Sequence, residues 1–208
     1  MKSWKKYSDL LLTGEWHLHT TYTDGKSSVD EYCAKAVELG LPLLAFTEHV
    51  PKSMTYDYSK LLADIDAARE KYDSLIILTG CEAKVLPDGT LDVSDDILYT
   101  VDYPIFAYHS FPIDQKLIIE TIYSVINNYP VNAWAHPGYF LKKTDLTIPE
   151  EELMNIFLDL KKRDVLLELN NKYLLPDIKW VSLAQKLNVT TVRGSDCHTH
   201  HNLQKCYD

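Results

Sequence analysis

The sequence predicts an α/β protein whose parallel strands close, or nearly close, into a barrel. Two observations carry that expectation. A unit of buried strand followed by amphipathic helix recurs about seven times along the 208 residues, with no internal repeat, linker or low-complexity segment to interrupt it. The side chains able to bind metal fall at or just past the C-terminal ends of those strands, the face on which β/α barrels assemble their sites. One domain spanning residues 1–208 is expected, long enough for a sizeable core and short for two.

The elements follow in order. Residues Met1 to Thr13 form a short lead-in. A first strand near Gly14 to His19 sets His17 and His19 in alternation with Trp16 and Leu18, so both imidazoles share a face. Asp24 follows in a polar turn closed by Gly25, where its carboxylate can fold back toward them. Ser28 and Glu31 make a capping box for a helix carrying Val29, Tyr32, Cys33, Ala36 and Val37, which Gly40 stops. A buried strand, Leu43 to Phe46, runs into Thr47-Glu48-His49.

Leu61, Leu62, Ile65 and Ala68 mark the next helix, and Leu75 to Leu78 a strand ending at Gly80-Cys81-Glu82. Val85 to Leu91 reads as a hairpin turning on Pro87-Asp88-Gly89. A strand from Tyr103 to Tyr108 ends at His109, and a helix is expected from Gln115 to Ile126. Val131 to Ala135 leads to His136-Pro137-Gly138, and Pro149 opens a helix with Leu153, Ile156, Phe157 and Leu160. Val165 to Leu169 leads to Asn170-Asn171-Lys172. A last helix carries Trp180, Val181, Ala184 and Leu187, and a last strand, Thr190 to Val192, opens onto Arg193-Gly194-Ser195-Asp196-Cys197-His198.

Composition narrows the partners. A net charge of −9, from 21 Lys and Arg against 30 Asp and Glu, excludes an extended nucleic-acid face while leaving room for a local basic pocket. No apolar run reaches the ~18 residues of a membrane span, and no signal peptide opens the chain. Cys33, Cys81, Cys197 and Cys206 are scattered without a C-x-x-C pair, which reads as reduced thiols in a cytoplasmic protein. The oligomeric state is not legible.

Any one of these histidines alone would read as a satisfied buried or surface residue. Six of the eight, His17, His19, His49, His109, His136 and His198, obey the strand-end rule together with Glu82 and Asp196. That coincidence points to a metal site.

On these motifs the chain resembles the PHP family, the polymerase-and-histidinol-phosphatase metallohydrolases. The motifs appear in order: His17-x-His19 with Asp24-Gly25, Glu48-His49, Gly80-Cys81-Glu82, His109, His136-Pro137-Gly138 and Ser195-Asp196-Cys197-His198. The resemblance implies a distorted seven-stranded (β/α) barrel with a trinuclear centre on its C-terminal face. It implies that His17, His19, Glu82 and Asp196 hold a first metal. Glu82 would bridge to a second, shared with His109 and His136, and Asp24, His49 and His198 would hold a third. The cofactors expected are two or three divalent ions, Zn, Mn or Fe. Glu48 is either a partner behind the ligands or a replacement for the commoner aspartate before His49.

The reaction implied is hydrolysis of a small phosphomonoester, histidinol-phosphate-like, by a hydroxide held between clustered metals. Glu82, Asp196 and His198 are expected to carry catalysis. Arg193 either forks onto the substrate phosphate or makes a surface ion pair, and Lys172 is the second candidate for the phosphate. Trp16 and Trp134 read as packing, whereas Tyr22, Tyr56, Tyr108 or Tyr139 can line a pocket. Family members usually continue into another helix after the last Asp-x-His motif, whereas this chain stops ten residues beyond His198, and His200 and His201 compete with His198 as ligand. The alternatives are a phosphodiesterase or nucleotide hydrolase, and a non-catalytic metal-binding PHP module.

Overall fold

The helices start where their first side chains satisfy the free amide groups of the first turn. In the computed structural model, which describes residues 2–203, Ser28 and Glu31 form the expected capping box at α1 (Val29–Leu39). Gly40 closes that helix in the left-handed region, at φ 68°. Asp57, Asp114 and Asp177 accept amide hydrogens in the same way at α2 (Tyr58–Lys71), α4 (Gln115–Asn128) and α7 (Ile178–Leu187).

Between the helices run β1 (Glu15–Leu18), β2 (Leu43–His49), β3 (Ile76–Lys84), β4 (Tyr103–Ala107), β5 (Ala133–Trp134), β6 (Leu166–Asn170) and β7 (Thr191–Gly194). They form one parallel sheet of seven strands in sequence order. The sheet all but closes: a bridge joins Leu18 to Cys197, with His19 N donating to Cys197 O at 2.9 Å and Cys197 N to His17 O at 3.1 Å. This is the nearly closed parallel sheet expected from the alternation of elements, with the seven strands that the family resemblance implies.

Strand alternation divides the apolar residues into two layers. Leu43, Ala45, Ile105, Ala107, Ala133, Leu166 and Val192 fill the barrel interior, while Leu44, Phe46, Phe106, Trp134 and Leu167 face the helices. The lead-in is more structured than its sequence suggests. Residues Ser3–Leu10 form a 3-10 helix that sends Trp4, and with the following turn Leu11, into the interior layer beside Trp16 and Tyr103.

Two short helices, α3 (Asp95–Leu98) and α5 (Tyr139–Thr144), were not expected; each is too short to show helical periodicity. The final helix between β5 and β6, α6 (Glu150–Lys162), begins after Pro149 as expected. β3 continues two residues beyond Glu82, and β7 ends at Gly194 rather than Val192, so Arg193 lies within a strand. Among the described residues no helix is long and apolar enough to cross a membrane.

Candidate metal centre

β1 delivers His17 and His19 from one edge of the barrel, both fully buried, with their Nε2 atoms 3.1 Å apart. Opposite them, β3 brings up Glu82, and this carboxylate occupies the middle of the cluster. Its Oε1 lies 2.7 Å from His136 Nε2 and 3.2 Å from His109 Nε2. Its Oε2 lies 3.3 Å from both His19 Nε2 and His49 Nδ1, and 3.6 Å from His17 Nε2. Asp196 closes the near side, with Oδ1 3.2 Å from His19 Nε2 and 3.7 Å from His17 Nε2. Asp24 completes the rim, 3.1 Å from His198 Nε2 and 3.7 Å from His49 Nε2.

All nine side chains singled out from the sequence therefore meet at the C-terminal mouth. Eight of them form four overlapping triads: His17, His19 and Glu82; His19, Asp196 and His198; His19, Asp24 and His49; His49, Glu82 and His109. His200 turns away instead, its Nδ1 2.8 Å from Ser27 Oγ, and its ring lies against that of His201.

The donor set suits a divalent transition metal, because imidazole and carboxylate together favour Zn, Mn or Fe. The field suits a cation as well. Burial works against charge on His19, yet Asp196 and Glu82 outweigh it and push its pKa up to about 9. Burial likewise opposes ionisation of Glu82, but the imidazoles led by His17 and His109 hold its carboxyl well below the usual range. His19 Nδ1 is buried without a hydrogen-bond partner, facing Asp24 and Glu48 at 4.0 Å each. The residues present fit a divalent metal group.

A second row of buried polar groups stands behind these. Glu48 accepts a hydrogen bond from Thr20 N at 2.7 Å and another from the Thr23 hydroxyl, pinning the loop that carries Asp24. The loop is tight: a Cβ on Gly25 would lie 2.2 Å from His19 O. Glu168, on β6, takes His17 Nδ1 at 2.7 Å, the His136 amide at 3.0 Å and Asn170 Nδ2 at 2.7 Å. Two of the nine, His136 at φ 29° and Asp196 at φ 49°, hold left-handed backbone conformations, a strain of about 1–3 kcal/mol each that surrounding contacts must sustain. Sequence reading passed over Glu168; the available signal was a single carboxylate within the apolar run Val165 to Leu169.

Comparison with known proteins places this chain in a family. A model of the PHP domain matches residues 15–172. The chain belongs to the PHP domain family. It is a metal-dependent hydrolase in class, and its cluster of His, Glu and Asp is capable of binding metal. A Bacillus subtilis relative, DNA polymerase/3'-5' exonuclease PolX, is 30% identical over 198 residues, which are 90% of this chain but only 34% of that protein. A probable phosphatase of Caldicellulosiruptor saccharolyticus is 24% identical, with 95% of this chain and 84% of the relative aligned. Among solved structures, Lactococcus lactis histidinol phosphate phosphatase, complexed with zinc, L-histidinol and phosphate, superposes with a TM-score of 0.68. The two are 16% identical, and 91% of this chain and 87% of that one are covered.

The two candidates for phosphate lie unequally in this PHP barrel. Lys172 stands at the mouth, its half-exposed Nζ 2.9 Å from Asp196 Oδ2 and 3.3 Å from His198 Nδ1. Tyr173 donates to the same Asp196 oxygen at 2.7 Å, and its ring lies 4.4 Å from that of Tyr139. Arg193 borders a cavity of about 250 Å³ with Lys172, Asp196 and His198. Its side chain nevertheless leaves β7 on the far side from the cluster. Val192 packs in the interior, and a Cβ on Gly194 would lie 2.6 Å from the Glu168 carboxyl, so the residue between them points outward. There its guanidinium is buried, 3.8 Å from Glu15. This favours the ion-pair alternative over a phosphate grip, with the pair buried rather than at the surface. Of the four tyrosines considered for a pocket, Tyr139 stands beside His136, with ring centroids 5.4 Å apart, whereas Tyr108 is buried in the outer core.

Proposed function

We propose that this chain hydrolyses a small phosphomonoester at a centre of two or three divalent ions. The observation that carries the reading is the convergence of five imidazoles on the two oxygens of Glu82. His17, His19, Glu82 and Asp196 would hold one ion; Glu82, His109 and His136 a second; Asp24, His49 and His198 a third. When bound, such ions lower the pKa of a water and neutralise charge that develops on the phosphoryl oxygens.

The chain's own groups supply the rest. Asp196 is held in one orientation, since Lys172 and Tyr173 occupy Oδ2 and leave Oδ1 facing His19. Lys172 presents a positive charge at the rim where a phosphate would enter. Tyr139 and Tyr173 form an aromatic wall beside His136 against which a leaving group can lie. The bound histidinol and phosphate of the Lactococcus lactis neighbour make histidinol phosphate the first substrate to try.

The test is a panel of histidinol phosphate, a phosphotyrosine mimic and mononucleotides, offered to protein reconstituted with Zn, Mn or Fe. Hydrolysis of a monoester by the wild type, with Glu82→Ala losing both metal and turnover while its circular dichroism is unchanged, is the expected result. A chain that takes up none of the three metals sinks the reading. A second reading, exonuclease or phosphodiesterase action, draws on the 30% identity to PolX; hydrolysis of nucleotide diesters in preference to monoesters would favour it.

A further inference from the structure

Glu168 is fully enclosed and belongs to no candidate triad, yet three hydrogen bonds converge on it. Oε2 faces His17 Nδ1 at 2.7 Å, and Oε1 accepts from the His136 amide at 3.0 Å and from Asn170 Nδ2 at 2.7 Å. A carboxylate can only accept, so a neutral His17 facing it carries its ring proton on Nδ1 and would turn a bare Nε2 toward a metal held with Glu82 and Asp196. The same carboxylate anchors the backbone of His136 in its left-handed conformation, and Nε2 of that residue meets Glu82 at 2.7 Å. Asn170 in turn accepts from Tyr173 N at 3.0 Å, which ties in the loop whose Lys172 and Tyr173 hold Asp196. Gly194 makes room for all this, since any Cβ there would lie 2.6 Å from the Glu168 carboxyl.

We infer that Glu168 is the positioning residue of the centre, fixing the tautomer of His17 and the backbone of His136 so that both present Nε2 to the metals. The inference rests on the metal reading above. Its core is chemical: a neutral amide at this position cannot do the same work. In Glu168→Gln, the amide oxygen can still serve His136 and Asn170, but the amide nitrogen then faces His17 Nδ1 as a second donor. His17 must move its proton to Nε2, the atom that would meet the metal.

The test compares full-length wild type with Glu168→Gln for zinc affinity by chelator competition, for fold by circular dichroism, and for histidine tautomer by 15N spectra. The expected result is an affinity lower by about 10- to 100-fold with the fold retained, and one ring changed from Nδ1–H to Nε2–H. Gly194→Ala keeps the carboxylate but displaces it, and is expected to weaken zinc binding in the same direction. Wild-type zinc affinity in either folded variant, or an unchanged His17 tautomer in Glu168→Gln, overturns the inference. Wild-type protein that binds none of zinc, manganese and iron overturns the metal reading and this inference with it, a result distinguishable from failure of the variants alone.

Discussion

Lys172 and Arg193 emerge from neighbouring parts of the barrel wall, after β6 and within β7, yet their surroundings give them different work. Lys172 is half-exposed at the mouth, and replacing it with alanine should leave the fold intact. If it meets the substrate phosphate, kcat/KM should fall about 30- to 1000-fold, the cost of a charge-assisted contact of roughly 2–4 kcal/mol. Arg193→Ala should do the opposite. It strips Glu15, which burial already pushes toward its neutral form, of the nearby guanidinium, and loss of one member of a buried pair costs about 3–5 kcal/mol of stability. Turnover at low temperature should hold. Equal kinetics for wild type and Lys172→Ala, or a kinetic loss in Arg193→Ala without a change in melting temperature, would reverse these roles. The metal-capable residues were legible because all but Asp24, which lies in the turn after β1, fall at or just past the end of a recognisable strand. Glu168 was not, because one acidic residue in an apolar run gives no hint of three convergent donors. For Arg193 the sequence left a phosphate grip and an ion pair open, because alternation along β7 decides which way its side chain leaves and β7 runs two residues further than its apolar run suggests.

At the scale of elements, strong periodicity was read correctly and short elements were missed. α1, α4, α6 and α7 carry apolar stripes that the sequence announces, whereas α5 is only six residues long and shows no such stripe. The N-terminal 3-10 helix has a different cause. Its sequence mixes charge with leucines, and only the open lower end of the barrel gives Trp4 a place to go. Trp4 is buried there and donates from Nε1 to Asp164 O at 3.1 Å. Trp4→Ala should cost about 3–5 kcal/mol, as deletion of a large core aromatic does. For a chain of this size that is a melting-temperature drop of about 6–20 °C. Because the plug lies at the end of the barrel away from the centre, zinc affinity of the folded variant should not change. A thermal melt and a zinc titration together check it; an unshifted melt would mean that the helix merely rests on the barrel floor.

At the scale of the whole molecule, the barrel sets what can approach the centre, and its charge sets what will. The strand order was legible because parallel strands with intervening helices leave few topologies. Substrate size was not, because it depends on loops whose packing no periodicity encodes. The net charge of −9 disfavours a long polyanion and so weighs against the second reading proposed above. A groove of about 900 Å³ between α5, α6 and α7 is bordered by Lys142, Lys179 and Lys186 but also by Glu150 and Asp177, and most of its lining is apolar. The two readings part on salt. A single strand held by several lysines releases counterions, and its log affinity falls with log salt at a slope of about −0.7 per phosphate engaged. A monoester held chiefly by buried metals loses little over the same range, because screening acts mainly on exposed charges. Monoester kcat/KM is therefore expected to change by less than about threefold between roughly 50 and 200 mM salt, with no oligonucleotide retained at the upper value. Tight retention of a single-stranded oligonucleotide, with a steep salt slope that Lys179→Glu flattens, would move the assignment from phosphatase to nuclease.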